Sequence, residues 1–517
     1  MSSVTAGALS GAALVLCFPR SEIDLLAWFA LVPLLFHVSR VTPRRAMVAG
    51  ASLGLVFHLG NLYWVSQVMV QYGGGISRAT SVAILLALVA YLSLYTAAFA
   101  GLAAGACARG GTGALLATPF FWVGLEYFRQ YPFGGFPWCL LGYSQVSAPS
   151  IAQLASLVGV YGLSFLIVLV NALIVYWLAR PGWRKAVTAA IPVVILLAAV
   201  IAFGRFQLAA AVPPPSFPVA AIQGNVLQEH KWDPGWAADI FARHLALSSQ
   251  ATEKGARLIV WPESSTPFHF DGSPEASARM RGFVEEHDVF LLFGSDDYES
   301  TPDRPGDYRA FNGVKLLDPA GEVRLRYHKI YLVPFGEFVP LRSLLRFAQP
   351  LVQSVSDFSP GTDVLVADVD GEAIGAFICY EAIYSSLVRR FVEQGASLLV
   401  NVTNDAWFGR SAAPYQHLSM ARLRAIETRR YLVRAANTGI SALVDPYGRV
   451  VASGDLFVPQ VIAGRVGFRH ERTFYVRAGY LLPASMAVVT LAFAVALVAL
   501  HLREQRRRAD GGTARKI

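Results

Sequence analysis

EAIGAFICYE, residues 372–381, is the stretch on which the reading of this chain turns: an apolar run that ends on a cysteine, a tyrosine and an acid. A short continuous apolar run of this kind reads as a strand buried on both faces, the pattern of a sheet covered by helices. Strand ends in such sheets open on a shared crevice, so Cys379 falls where chemistry is done. Four more runs have the same character: FPVAAIQGN (217–225), ARLIVWPES (256–264), VFLLFGS (289–295) and ASLLVNVTN (396–404). Polar amphipathic stretches separate them. The run FNGVKLLDPAGEVRLRYHK (311–329) reads as a hairpin turning at Asp318-Pro319-Ala320-Gly321. A helix is expected over 415–431, after the loop NDAWFG. The mixture over 217–470 suits one α/β domain.

Outside that domain the composition changes. The whole chain, 517 residues, is 54% hydrophobic and only 15% charged, where soluble proteins carry about 25% charged residues. Eight apolar segments stand out, at 5–18, 24–38, 46–70, 79–106, 112–128, 155–179, 186–204 and 478–502. Residues 1–206 are therefore expected to hold about seven transmembrane helices, 207–216 a stiff linker with Pro213 to Pro215, 478–502 a last transmembrane helix, and 503–517 a basic, disordered tail. The first segment lacks a basic leader, so it reads as a retained helix and not a signal peptide.

Basic residues in short loops set orientation. One side holds Arg40, Arg44, Arg45, Arg109, Arg180, Arg184, Lys185 and the tail; the other holds Arg20, Arg78 and Arg129. The bias puts both termini in the cytoplasm and the α/β domain on the far side, the periplasm of a Gram-negative inner membrane. It also accounts for the net charge of +9 without a nucleic-acid partner. Cys17, Cys107, Cys139 and Cys379 are too few and too scattered for a disulfide framework. His58, Asn61, Gln67 and Glu126 are costly in lipid and mark either a lined cavity or helix contacts.

Three strings of the domain carry candidate chemistry: WPESS with Glu263, YHKIYLVPFGEFVP with Lys329 and Glu337, and FICYE with Cys379. Taken singly each has a plain reading, since a cysteine closing an apolar strand is ordinarily a core residue and Glu337 could cap a turn. Trp232 and Trp407 read equally well as packing aromatics. His328 and His417 come with no metal-ligand spacing, so no metal is expected.

Taken together, Glu263, Lys329 and Cys379 in this order and at this spacing resemble the carbon–nitrogen hydrolase, or nitrilase, superfamily. The longer strings KWDP around Trp232, LVPFGEFVP, CYE and NDAWFG, with GFPW…GYSQ at 135–145 and the flanking apolar segments, look like the bacterial apolipoprotein N-acyltransferases over essentially the whole chain. The resemblance implies an α-helical membrane bundle of about eight spans plus an α/β nitrilase-like αββα sandwich. It also implies two-step acyl transfer, from a phospholipid donor through a Cys379 thioester to the α-amine of a diacylglyceryl-cysteine on an apolipoprotein, with no cofactor. Chemically this is coherent: a thiol attacks a carbonyl only as thiolate, so Cys379 needs a base, Glu263, and a nearby positive charge, Lys329, which also steadies the oxyanion. Glu337 would position Lys329 or the acceptor amine. Tyr380, Glu381, Trp232 and Trp407 are supporting or substrate-binding candidates.

A membrane-anchored amidase or nitrilase acting on a small soluble substrate is the alternative, but it leaves eight spans without a purpose. A non-enzymatic scaffold is disfavoured by the intact Glu263, Lys329 and Cys379. Eight spans also obstruct the oligomers typical of nitrilase-like domains, so a monomer is expected.

Overall fold

The computed structural model describes every residue except 73–74, 180–182, 211–213, 301–307, 339–356 and 514–517. The described strands are β1 Phe217–Gln223, β2 Leu258–Val260, β3 Phe290–Ser300, β4 Tyr308–Leu317, β5 Val323–His328, β6 Val366–Val369, β7 Glu372–Ile378, β8 Leu398–Thr403, β9 Tyr431–Ala436, β10 Ala442–Val444, β11 Val450–Ser453 and β12 Gln460–Val466. They form two six-stranded sheets, ordered β12-β1-β2-β3-β4-β5 and β11-β10-β9-β8-β7-β6. In each sheet a central trio is parallel, β1-β2-β3 in one and β7-β8-β9 in the other, and the outer pairings are antiparallel.

Alternation decides which residue fills which layer. Val219, Ala221, Val260 and Leu292 join Ile374, Ala376, Val400 and Leu432 in the core shared by the two sheets. Their neighbours Ala220, Ile222, Ile259, Leu291 and Phe293 point the other way, against Phe241 and Leu247 of the helix Pro234–Glu253 and Met280 and Val284 of the helix Pro274–His287. Helices Ser385–Glu393 and Ala413–Thr428 pack against the second sheet. Both faces are covered, so the central strands read as unbroken apolar runs. The five expected strands and the hairpin are present, and the helix expected at 415–431 runs Ala413–Thr428.

All eight apolar segments are helical, but they differ in reach. Among the described residues, four helices are long and apolar enough to cross a membrane, Arg78–Phe128 counted as one, or five if Pro43–Leu62 and Trp64–Tyr72, bent by 49°, make one span. Ser3–Leu16 has 14 residues, about 21 Å against about 30 Å of hydrocarbon. The segment 24–38 is broken at Leu31. The freed backbone there is met by side chains of other helices: Leu31 N donates to Asn171 Oδ1 at 2.9 Å and Leu34 N to Ser10 Oγ at 3.1 Å. Small residues bring helices together, as at Gly50, where a Cβ would lie 2.2 Å from Thr96 O.

The polar residues divide between the two roles left open. His58 and Glu126 line a cavity with Arg129, while Glu126 also accepts from Leu141 N and Asn61 from Gln416. Gln67 is exposed. The linker begins after a helix that continues to Ala209, and its residues 211–213 lie outside the described ones. The tail departs from expectation: the last helix runs Leu481–Thr513. Its Arg, Gln, Glu and Ala residues are good helix formers extending a helix already nucleated in the apolar segment.

Candidate active site

Three strand ends build the site. After β2 the indole of Trp261 is buried and donates to Ser248 Oγ at 2.8 Å, which fixes the chain before it turns at Pro262 and Glu263. The turn lies directly on β3 at Gly294, where a Cβ would stand 2.5 Å from Pro262 O and 2.4 Å from Ser264 N, so only glycine admits it. Beyond β5 the ladder continues by one bond, Lys329 N to Asn312 O at 2.9 Å, which holds Lys329 beside Asn312. After β7, Cys379 adopts φ +48°, a left-handed backbone rare for a side-chain-bearing residue, which turns its side chain out of the strand direction.

Lys329 is buried, with Nζ 2.8 Å from Glu337 Oε1 and 3.1 Å from Glu263 Oε1. Asn312 Nδ2 donates to the same two oxygens, at 2.7 Å to Glu263 and 2.8 Å to Glu337. The remaining carboxylate oxygens are held by backbone: Asn404 N donates to Glu263 Oε2 and Val333 N to Glu337 Oε2, each at 2.8 Å. Burial alone would raise Glu263, but Lys329, Lys231 and Asn312 hold it below the usual carboxylate range. Burial would lower Lys329, and the two carboxylates instead raise it well above an ordinary lysine. At Cys379 burial and then Glu263 push the thiol up, against Lys329 and the Thr403 hydroxyl. The resting state therefore has a protonated thiol and an ionised carboxylate in one buried cluster.

Family models match two parts of the chain: one described as Apolipoprotein N-acyltransferase N-terminal domain covers residues 10–173, and one described as Carbon-nitrogen hydrolase covers 218–468. A Geobacter metallireducens protein named Apolipoprotein N-acyltransferase is 41% identical over 476 residues, 91% of this chain and 90% of its own. The protein of the same name from Methylococcus capsulatus is 37% identical over 446 residues, 83% of this chain and 84% of its own. The chain belongs to the apolipoprotein N-acyltransferase family. Its match to the first of the two models joins the apolar half to the same family as the α/β half.

The other sequence candidates of this N-acyltransferase family member fall in different places. Glu381 is fully buried and braces two strand ends, accepting from Ile378 N at 2.7 Å, Tyr327 OH at 2.7 Å and Ile330 N at 2.6 Å. Tyr380 donates to Gly135 O at 2.8 Å, tying the residue after Cys379 to the GFPW segment of the apolar half. Trp232 is half exposed, with the ammonium of Lys231 6.0 Å from its ring centre. Trp407 stands edge-on to Tyr72 of the helix Trp64–Tyr72, with ring centres 5.1 Å apart.

Sequence reasoning missed Asn312, Lys231 and the chain His417–Asp405–Arg434. Asparagine inside the hairpin strand FNGVKLLD was a usable signal, because a buried amide in a strand needs polar partners. In KWDP the buried member is Lys231 and not Trp232, with Nζ 3.0 Å from Glu263 O. One atom each of Cys379, Asp405 and His417 lie within 4.8 Å of one another. Both ring nitrogens of His417 are engaged, by Cys379 O and Asp405, and Asp405 is further held by Thr403 and Arg434. With a guanidinium already seated there, the donor set does not suit a cation.

Proposed function

We propose that this chain N-acylates the N-terminal S-diacylglyceryl-cysteine of apolipoproteins, using a phospholipid as acyl donor and Cys379 as the acyl carrier. The observation that carries this reading is the seating of the nucleophile: the residue after Cys379 is bonded to a loop of the apolar half, so the thiol works at the boundary between the globule and the lipid-facing helices. Both substrates carry acyl tails, and drawing such tails into water costs about 0.8 kcal/mol per CH₂. A thiol at the bilayer surface avoids that cost.

The chemistry runs in two halves. Glu263 takes the Cys379 proton, and the sulfur attacks the sn-1 ester carbonyl. Lys329 steadies the oxyanion, and the departing lysophospholipid oxygen takes the proton back from Glu263. In the second half the acceptor amine attacks the thioester, loses its proton to Glu263, and the expelled sulfur is reprotonated as the amide forms. Glu337, through Lys329, keeps the ammonium in place for both halves. The domain boundaries given above, eight crossings with the α/β domain on the periplasmic side of the inner membrane, and a monomeric state are part of the same proposal. The orientation is supported by the basic-loop asymmetry; a membrane-impermeant thiol reagent on spheroplasts should label cysteines introduced on the domain surface and not one near Arg507.

Given phospholipid alone, the purified protein is expected to gain one acyl group on Cys379, seen by mass spectrometry, to release one equivalent of lysophospholipid, and to stop until a diacylglyceryl-cysteine peptide is added. The Cys379→Ala variant is the blank. Fatty acid released continuously without acceptor, as fast as transfer with it, would identify a hydrolase and overturn the reading.

A further inference from the structure

Lys231 brings a second ammonium to the site, and the three residues assigned to catalysis leave it unused. It is 5% exposed, and Nζ donates to the backbone carbonyl of Glu263 at 3.0 Å. Among the described residues no carboxylate pairs with it directly. The charged and titratable groups around it are Glu263, Asp296, Cys379, Lys329 and His244. Asp296 is itself turned toward the Glu263 turn, accepting from Ser264 Oγ at 2.9 Å.

A hydrogen bond to a carbonyl could be supplied by a neutral amide, without the cost of burying a cation. The charge therefore needs its own reason, and the cluster offers one. Glu263 and Glu337 share the single ammonium of Lys329, which leaves that trio with one net negative charge. Moving a proton from Cys379 to Glu263 then creates a thiolate in the same buried space. A second cation at this place favours the carboxylate form of Glu263 at rest and the thiolate form of Cys379 in the step.

We propose that Lys231 is a positioning residue that acts through Glu263, fixing its main chain by hydrogen bond and keeping the site competent for proton transfer by its charge. This rests on the reading of Glu263 as the base. Burial lowers Lys231 to about 8, against the pull of Glu263 and Asp296. The charge is thus present at neutral pH and is lost as pH rises through that value.

The test uses the full-length protein in detergent with Lys231→Gln, which keeps a donor and loses the charge, and Lys231→Arg, which keeps both. The rate of Cys379 alkylation by iodoacetamide is followed on the Cys379 peptide from about pH 5 to about pH 9, a window that brackets the value of about 8 for Lys231. Lysophospholipid release is followed alongside. Without the charge, the Glu263 carboxylate and the Cys379 thiol both bind protons more tightly. With the thiol about one unit harder to ionise, K231Q is therefore expected to react roughly tenfold more slowly at neutral pH. K231R should match the wild type below about 8, and the wild-type log-rate should break downward near 8, a break that both K231R, which stays charged, and K231Q, which has no charge to lose, lack.

A K231Q profile of wild-type shape, merely scaled down, or a K231R reaction as slow at neutral pH as that of K231Q, would overturn the proposal. Should K231Q fail to fold, the wild-type break decides alone, and its absence overturns the idea. A wild type that shows the stated alkylation behaviour and still forms no acyl-Cys379 from phospholipid would refute the proposed function and leave the role of Lys231 standing.

Discussion

His417 donates through Nε2 to the backbone carbonyl of Cys379 at 3.0 Å. A carbonyl only accepts, so that nitrogen carries the proton. Nδ1 lies 3.0 Å from Asp405 Oδ1 and 3.1 Å from Arg434 Nη2. Burial would raise Asp405, but Arg434 and His417 hold it at about 2. The left-handed backbone at Cys379 is thus pinned by a buried polar chain that starts on β9, passes the end of β8 and reaches the helix Ala413–Thr428. The direction of the Cys379 side chain is set from behind, by His417, Asp405 and Arg434.

His417→Leu is expected to leave the buried Cys379 O short of a partner, which costs about 1–3 kcal/mol of stability. It should also slow thioester formation, because the strained backbone at Cys379 is released. His417→Gln, which can still donate to the carbonyl, should recover part of both. Thermal unfolding and the rate of lysophospholipid release measure the two effects. Unchanged release from H417L would show that the backbone at Cys379 needs no such support.

Glu381→Gln tests the brace on the other side of the nucleophile. Oε1 accepts from Tyr327, Ile330 and Tyr331, and Oε2 from Ile378 N. An amide has one oxygen, so its NH₂ must face at least one of these donors, leaving a buried N–H or O–H unmet at about 1–3 kcal/mol. The variant should unfold earlier, with slower acylation following from displaced strand ends. Wild-type stability would mean that the carboxyl is protonated at rest, consistent with burial pushing it up to about 7.

The α/β core was legible because its strands are covered on both faces and so appear as apolar runs, EAIGAFICYE among them. Glu263, Lys329 and Cys379 were legible because they close such runs or follow the hairpin. What escaped was whatever depends on a partner distant in sequence. Asn312 reaches Glu263 and Glu337 only after the hairpin folds. Trp138 Nε1 meets Gln416 Oε1 at 2.9 Å across the join between the two halves, and no local pattern announces it. The apolar segments gave helix positions but not reach, since breaks such as that at Leu31 depend on Asn171 and Ser10 elsewhere.

The two ties from the domain to the GFPW segment should act together. Tyr380 and Tyr384 both donate to Gly135 O, at 2.8 and 3.1 Å, and Tyr384 also to Gly134 O at 2.8 Å. Each Tyr→Phe change alone is expected to cost about 1 kcal/mol, since the other hydroxyl still holds the loop. The double variant should exceed the sum and expose the backbone of residues 134–138 to hydrogen exchange. Additive losses with exchange unchanged would show that the loop is held by packing alone.

Glu263 and Glu337 share Lys329 and Asn312, yet their outer oxygens differ in task. Glu263 Oε2 is held by Asn404 N, at the end of β8 beside the nucleophile's strand, and the charge of Glu263 bears directly on Cys379. Glu337 Oε2 is held by Val333 N within its own loop. If Glu263 is the base, Glu263→Gln removes the only step that turns thiol to thiolate, and acylation by phospholipid should fall by about 10²–10⁴-fold. Glu337→Gln leaves that base in place and weakens the hold on Lys329, so the thioester should still form, more slowly, while transfer to the diacylglyceryl-cysteine peptide suffers as well. The comparison is made by mass spectrometry of Cys379 after phospholipid alone, then after peptide is added. Thioester of normal yield and rate in E263Q, or its complete absence in E337Q with the protein folded, would exchange the two roles and require Glu337 to take the thiol proton.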